Sequence, residues 1–237
     1  MTEPTTVVFV GPTLAADEVR ARLPGARVLP PVAVGDVLRA ARDRRVRRIA
    51  IVDGYFERMA AVWHKEILVA LARGIAVWGA ASMGALRAAE LAPFGMIGVG
   101  AIYRAYRRGE LVADDEVAVA HLPAERGFRA VSDALVDIRF ALVRAPISQR
   151  TRDRLIYLAR ARFYRERTWP ALLADARAAG VPRAQLAALA AAPKPSRKAA
   201  DARLLLARLA RDRGARPPKL AVPRTWALRQ LERMLFS

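Results

Sequence analysis

The sequence predicts an α/β protein, with a parallel Rossmann/flavodoxin-like sheet in its N-terminal part and a helical C-terminal extension. Three observations carry this. Four short apolar runs alternate with helix-patterned segments over residues 7–91. Thr13, Asp53 and Ser82 follow three of those runs, at the strand ends where ligands collect in such sheets. After Pro93 the strand signal fades into helical periodicity punctuated by proline at 146, 170, 182, 193, 195, 217, 218 and 223.

The elements follow in order. Val7 to Val10 is a buried-strand run ending in Gly11-Pro12-Thr13, and residues 14–23 read as a helix stopped by Pro24-Gly25. Arg27 to Leu29 is a weaker strand, and Asp36 to Arg45 is a helix with Val37, Leu38 and Ala41 on one face. Arg48 to Val52 is the clearest strand, ending at Asp53-Gly54. Residues 62–73 form an amphipathic helix closed by Gly74, which leads into the strand Ile75 to Trp78. Gly79 to Gly84 turns the chain into a helix from Met83 to Leu91. Beyond it, residues 98–108, 128–144, 148–167, 169–179, 183–191, 197–213 and 224–235 read mainly as helices. The expected divisions are an α/β core at 1–95, a helical continuation at 96–145 and a basic helical region at 146–237.

Composition bounds the function. Hydrophobic residues make up 54% and charged residues 27% of 237 residues, which excludes a disordered chain. No apolar run approaches the ~18–20 residues that span a bilayer, and Met1-Thr2-Glu3-Pro4 has neither a basic n-region nor an apolar h-region. A cytoplasmic protein without membrane contact is expected. The absence of cysteine excludes disulfides, zinc-thiolate sites, a cysteine nucleophile and a persulfide on this chain.

The net charge is +19, and residues 146–237 carry 21 basic and 6 acidic residues of the total. Such a surface attracts nucleic acid, acidic peptides or acidic proteins alike. A nucleic-acid reader would add interleaved aromatics and a recognisable motif, which this segment lacks. An Arg and Ala bias with four lysines also follows from coding in a GC-rich genome.

The chemistry centres on Ser82, in Ala80-x-Ser82-x-Gly84 between a strand and a helix. This is a relaxed form of the Gly-x-Ser-x-Gly turn that presents a nucleophilic hydroxyl at the top of a sheet. The N–H groups of Met83 and Gly84 would bind an oxyanion there, and Thr13 would line the same strand edge. The pattern equally suits a serine N-cap on a small-residue helix packed closely on its strand. A serine needs a base, and His64 and His121 are the two histidines; residue types leave the choice open. Asp53, Asp115 or Glu116 would complete a Ser–His–acid set. Asp114, Asp115 and Glu116 are weak candidates for a hard cation, since carboxylates adjacent in sequence point in different directions. Neither a Walker-type loop nor a Gly-x-Gly-x-x-Gly follows the first strand.

Several ordered motifs together resemble a family. Val8-Phe9-Val10-Gly11-Pro12-Thr13, Val52-Asp53-Gly54-Tyr55-Phe56, Trp63 to Leu68, Gly79 to Leu91, Gly95-Met96-Ile97-Gly98 and Asp114-Asp115-Glu116-Val117 with His121 are similar to the TfuA-like core domain, over about residues 7–143. The family pattern has a second serine where this chain has Ala81. The resemblance implies a partner of a YcaO enzyme in peptide backbone thioamidation, supplying or recruiting sulfur. It implies ATP and Mg²⁺ on the YcaO protein and no cofactor on this chain. With no cysteine here, sulfur would come from free sulfide or a thiocarboxylated ubiquitin-like carrier, hydrolysed through Ser82 with His64 or His121 as base. The precursor peptide would be met through YcaO. The alternative is a non-catalytic adaptor for carrier, YcaO and precursor peptide.

Overall fold

In a computed structural model the chain divides into two units, residues 1–112 with 199–237 and residues 113–198. The structure describes residues 5–56, 60–212, 214, 217–218 and 220–236. Met1 to Pro4, read above for a targeting signal, and residue 213, the expected end of a helix, lie outside these.

The first unit is built on a five-stranded parallel sheet of order β2-β1-β3-β4-β5: β1 (Thr5–Phe9), β2 (Arg27–Leu29), β3 (Val46–Ile51), β4 (Ala76–Ala80) and β5 (Ile97–Val99). The first four strands and the α/β class match expectation; β5 is additional. Its three residues, with glycine in the middle, give almost no periodicity to read. The order reverses between β1 and β3, which opens the switch point of a doubly wound sheet.

Alternation along the strands assigns the faces. Val7, Phe9, Ile49, Ile51 and Val77 point to one side, packing with residues of α2 (Asp36–Arg42), α3 (His64–Ala72) and α4 (Met83–Leu91). Val8, Val10, Ala50, Val52, Trp78 and Ala80 point to the other, against Val19 of α1 (Ala16–Arg22) and Ala202, Leu205, Leu206 and Leu209 of α10 (Arg197–Arg211). Burying each of those leucines contributes about 1.5–3 kcal/mol. A helix more than a hundred residues downstream thus completes the sandwich. It is fastened by Asp201, whose Oδ2 accepts the Ile102 N–H at 2.8 Å in the first turn of α5 (Gly100–Arg107), and by Arg203 on Glu18 at 2.7 Å. Leu228 and Leu231 of α11 (Trp226–Phe236) pack with Leu38 of α2.

The second unit holds α6 (Leu135–Arg144), α7 (Gln149–Ala161), α8 (Trp169–Ala178) and α9 (Arg183–Ala191), with Leu135, Ile138, Leu142, Leu155, Leu172 and Leu189 in its core. The expected helix over 128–144 begins only at Leu135, because Ala130 forms an antiparallel bridge with His121. Ser148 and Thr168 cap α7 and α8 by accepting the N–H groups of Thr151 and Ala171, and Pro170 sits in the first turn of α8. Among the described residues no helix is long and apolar enough to cross a membrane.

Candidate functional site

At the carboxyl edge of the sheet, adjacent strands β1, β3 and β4 deliver Thr13, Asp53 and Ser82, as the topology predicts. Thr13 and Asp53 are joined directly. Asp53, 1% exposed, accepts the Gly11 N–H at 2.9 Å and the Thr13 N–H at 3.0 Å on Oδ2, and the Thr13 hydroxyl at 2.5 Å on Oδ1. The carboxylate therefore fills the turn after β1 and satisfies backbone donors there that would otherwise be orphaned. The backbone of Asp53 is held as well, its carbonyl accepting the Val32 N–H at 2.9 Å. These bonds make Asp53 a clamp across the switch point, and they hold Thr13 in the same clamp.

Ser82 occupies the turn between β4 and α4. Its N–H donates to the carbonyls of Ala80 at 2.9 Å and Val52 at 3.3 Å, which pins the turn beside the end of β3. In the Ala80-x-Ser82-x-Gly84 turn the left-handed residue is Ala81, at φ 68°, while Ser82 has φ −112°. A left-handed alanine carries about 1–2 kcal/mol of strain, which the surrounding packing must hold. The reason for small residues is visible at the glycines. A Cβ on Gly84 would lie 1.7 Å from the Ile51 carbonyl oxygen, and one on Gly79 would lie 2.1 Å from that of Gly84. Helix α4 therefore starts in backbone contact with β3 and β4.

That contact also engages one of the two expected oxyanion donors. The Gly84 N–H is occupied by the Val52 carbonyl at 3.3 Å. Met83, the first residue of α4, keeps an N–H with no partner among the described residues, as first-turn donors do. Ser82 itself is 3% exposed.

The histidines stand in different units. His64 opens α3, 46% exposed, and its Nε2 lies 2.8 Å from Glu90 Oε2 on α4, with Arg87 on the same carboxylate at 2.8 Å. A carboxylate at Nε2 places the ring proton there and leaves Nδ1 as the basic atom. Glu90 lies eight residues past Ser82 along α4, about 12 Å of helix rise, so the dyad sits toward the opposite end of α4 from Ser82. His121 belongs to the second unit, where its Nδ1 lies 2.8 Å from the Leu122 carbonyl and its ring meets Phe128 edge-on. A carbonyl only accepts, so Nδ1 carries the proton and Nε2 holds the lone pair of the neutral ring.

The carboxylates at 114–116 disperse. Glu116 takes both guanidinium arms of Arg139, at 2.9 and 3.1 Å, and Asp115 takes the buried Arg167 at 2.7 Å. Arg167 also donates to the carbonyls of Ala159, Arg162 and Asp115, and its paired charge anchors the second unit. Among the described residues no three acidic or histidine side chains gather as a metal site. Sequence reading missed Glu90, Arg139 and Arg167 as partners, because each pairing joins segments that no local spacing relates.

A family model described as TfuA-like protein matches residues 53–168. This stretch takes in Asp53, His64, Ser82, His121 and the acids at 114–116, and ends just past Arg167. No match is found among curated proteins.

Proposed function

Residues 53–168 belong to the TfuA-like family, and from that premise we propose that the chain is the sulfur-mobilising partner of a YcaO enzyme in peptide backbone thioamidation. The observation that carries the proposal is the family match together with the turn at Ser82. A hydroxyl stands there at the start of a helix whose first N–H, on Met83, has no partner among the described residues.

The substrate is a ubiquitin-like carrier ending in a thiocarboxylate. The Ser82 oxygen attacks the carbonyl carbon, a histidine accepts the hydroxyl proton, and charge gathers on the former carbonyl oxygen, which the Met83 N–H and the positive end of α4 stabilise. Collapse expels the sulfur, which leaves as hydrosulfide with the proton from the histidine. Water then cleaves the serine ester, returning a carboxylate carrier and the Ser82 hydroxyl. No redox partner is required, and the absence of cysteine from the chain is consistent with sulfur that is never held here covalently. Sulfide release from purified thiocarboxylated carrier by this protein alone tests the proposal.

The second reading is a non-catalytic adaptor that gathers carrier, YcaO and precursor peptide. The 3% exposure of Ser82 and the placement of the positive φ at Ala81 favour it. An adaptor supports thioamidation in the complete system while releasing no sulfide from the carrier by itself.

A further inference from the structure

The second unit contains a cavity of about 950 Å³ between the N-terminal turn of α7 and the connection from α8 to α9. Its wall includes Ser148, Arg150, Thr151, Arg154, Gly180 and Gln185, and no acidic residue lines it. Arg150 and Arg154 are exposed, and among the described residues neither has an ion-pair partner. Arg154 lies over the Tyr157 ring at 5.7 Å, and like charges four apart on a helix repel, so an anion that enters here relieves the repulsion. Around them the wall is fixed. The Ser148 hydroxyl donates to Thr151 at 3.0 Å, and the Gln185 side chain accepts the Ser148 N–H at 2.7 Å, tying the start of α7 to α9. Ala184, in the first turn of α9, also lines the cavity, so the positive end of that helix adds to the field.

We propose that this cavity is a docking site for an extended acidic peptide segment, with Arg150 and Arg154 each taking one carboxylate. The two arginines are separated by four residues of helix, about 6 Å of rise. Alternate side chains on one face of an extended strand recur at about 6.6–6.8 Å, so carboxylates two residues apart meet both guanidinium groups. The volume is at the upper end of the range for small-molecule sites, larger than one anion requires. No aromatic side chain lines the wall, which removes the stacking surface that single-stranded nucleic acid uses. The proposal stands independently of the sulfur chemistry assigned to Ser82.

The test is fluorescence anisotropy with a labelled eight-residue Ser-Glu repeat peptide and its Ser-Gln counterpart, using the full chain. The Ser-Glu peptide should bind at least tenfold more tightly than the Ser-Gln peptide. The Arg150→Gln/Arg154→Gln double variant should lose at least tenfold in affinity. The charge-matched Arg208→Gln/Arg211→Gln double variant, on α10, should stay within about twofold. Equal loss in the two double variants would mean that bulk charge is read, and would overturn the site. Ala184→Glu supplies an independent check, since an acid suits the first turn of a helix and leaves folding intact while closing the cavity to carboxylates. Unchanged binding in Ala184→Glu, or displacement of the peptide by 10 mM inorganic phosphate at constant ionic strength, would overturn the proposal as well.

Discussion

Asp201 and Ile102 are joined by a 2.8 Å hydrogen bond that spans 99 residues of sequence, the carboxylate on α10 accepting the N–H in the first turn of α5. Asp201 is fully buried, and a Cβ added to Gly100 would fall 2.3 Å from its carboxyl carbon, so the acid is packed as closely as it is bonded. Asp201→Ala is expected to cost about 2–3 kcal/mol, the loss of a hydrogen bond to a charged group that leaves a buried donor unpaired. Chemical denaturation measures it, and Asp201→Asn, which keeps an acceptor oxygen, should lose less.

The α10 helix is a layer of the sheet sandwich, so a deletion of residues 146–237 is expected to give an unfolded or aggregated protein. Leu206→Ala, at a fully buried position on that layer, should destabilise by about 2–5 kcal/mol. A truncated chain with native near-ultraviolet dichroism would contradict this placement.

Gly84→Ala is expected to destabilise by about 3 kcal/mol or more. The added methyl would sit 1.7 Å from the backbone carbonyl of Ile51, which has no rotamer with which to yield. The matching change at Gly25, where nothing lies within 4 Å but φ is +80°, should cost only about 1 kcal/mol. Thermal melts of the two variants give the comparison.

The sheet was legible in the sequence wherever a strand was long enough to show its pattern, and the carboxyl-edge placement of Thr13, Asp53 and Ser82 followed from topology. The layer that α10 supplies was not. Residues 197–213 read as a helix, and nothing local says which surface its leucines cover. Net charge describes only its outer face and says nothing of the apolar stripe, which belongs to the core. The turn at Ser82 could be located but not its dihedrals, because whether Ala81 or Ser82 takes the positive φ depends on how Gly79 and Gly84 press against each other. That Asp53 would clamp the turn after β1 was not legible, because its bonds to Gly11 and Thr13 join segments some forty residues apart.

Glu66 offers a pH-dependent test. It is fully buried, and both its carboxylate oxygens accept backbone N–H groups, from Gly35 at 2.8 Å and Trp63 at 3.1 Å. Burial holds its pKa above the ordinary 4.5, outweighing those bonds. The folded protein therefore keeps a proton that the unfolded chain has released, and this group's contribution to stability falls as pH rises from 4.5 through the folded value. Glu66→Gln has one acceptor oxygen for two donors and should be less stable by about 1–3 kcal/mol. Its deficit relative to the unsubstituted protein should shrink from pH 4 to pH 7 in paired thermal melts; a deficit that grows would contradict the burial assignment.

The central claim is that Ser82 releases sulfur from a carrier thiocarboxylate, and sulfide release by purified Ser82→Ala is its most direct test. Ala85, buried in the first turn of α4, shows that alanine suits this helix start, so the variant should fold with a nearly unchanged melting profile. Alongside it, replacing His64 and His121 in turn should lower release on the order of 10²-fold or more for the one that is the base and little for the other. The account predicts carrier-dependent sulfide release by the unsubstituted protein, none above background from Ser82→Ala, and thioamidation by the variant restored when sulfide is supplied with the YcaO enzyme. Full carrier-dependent release by Ser82→Ala would contradict it, and no release by the unsubstituted protein with thioamidation intact in the complete system would leave the chain as an adaptor.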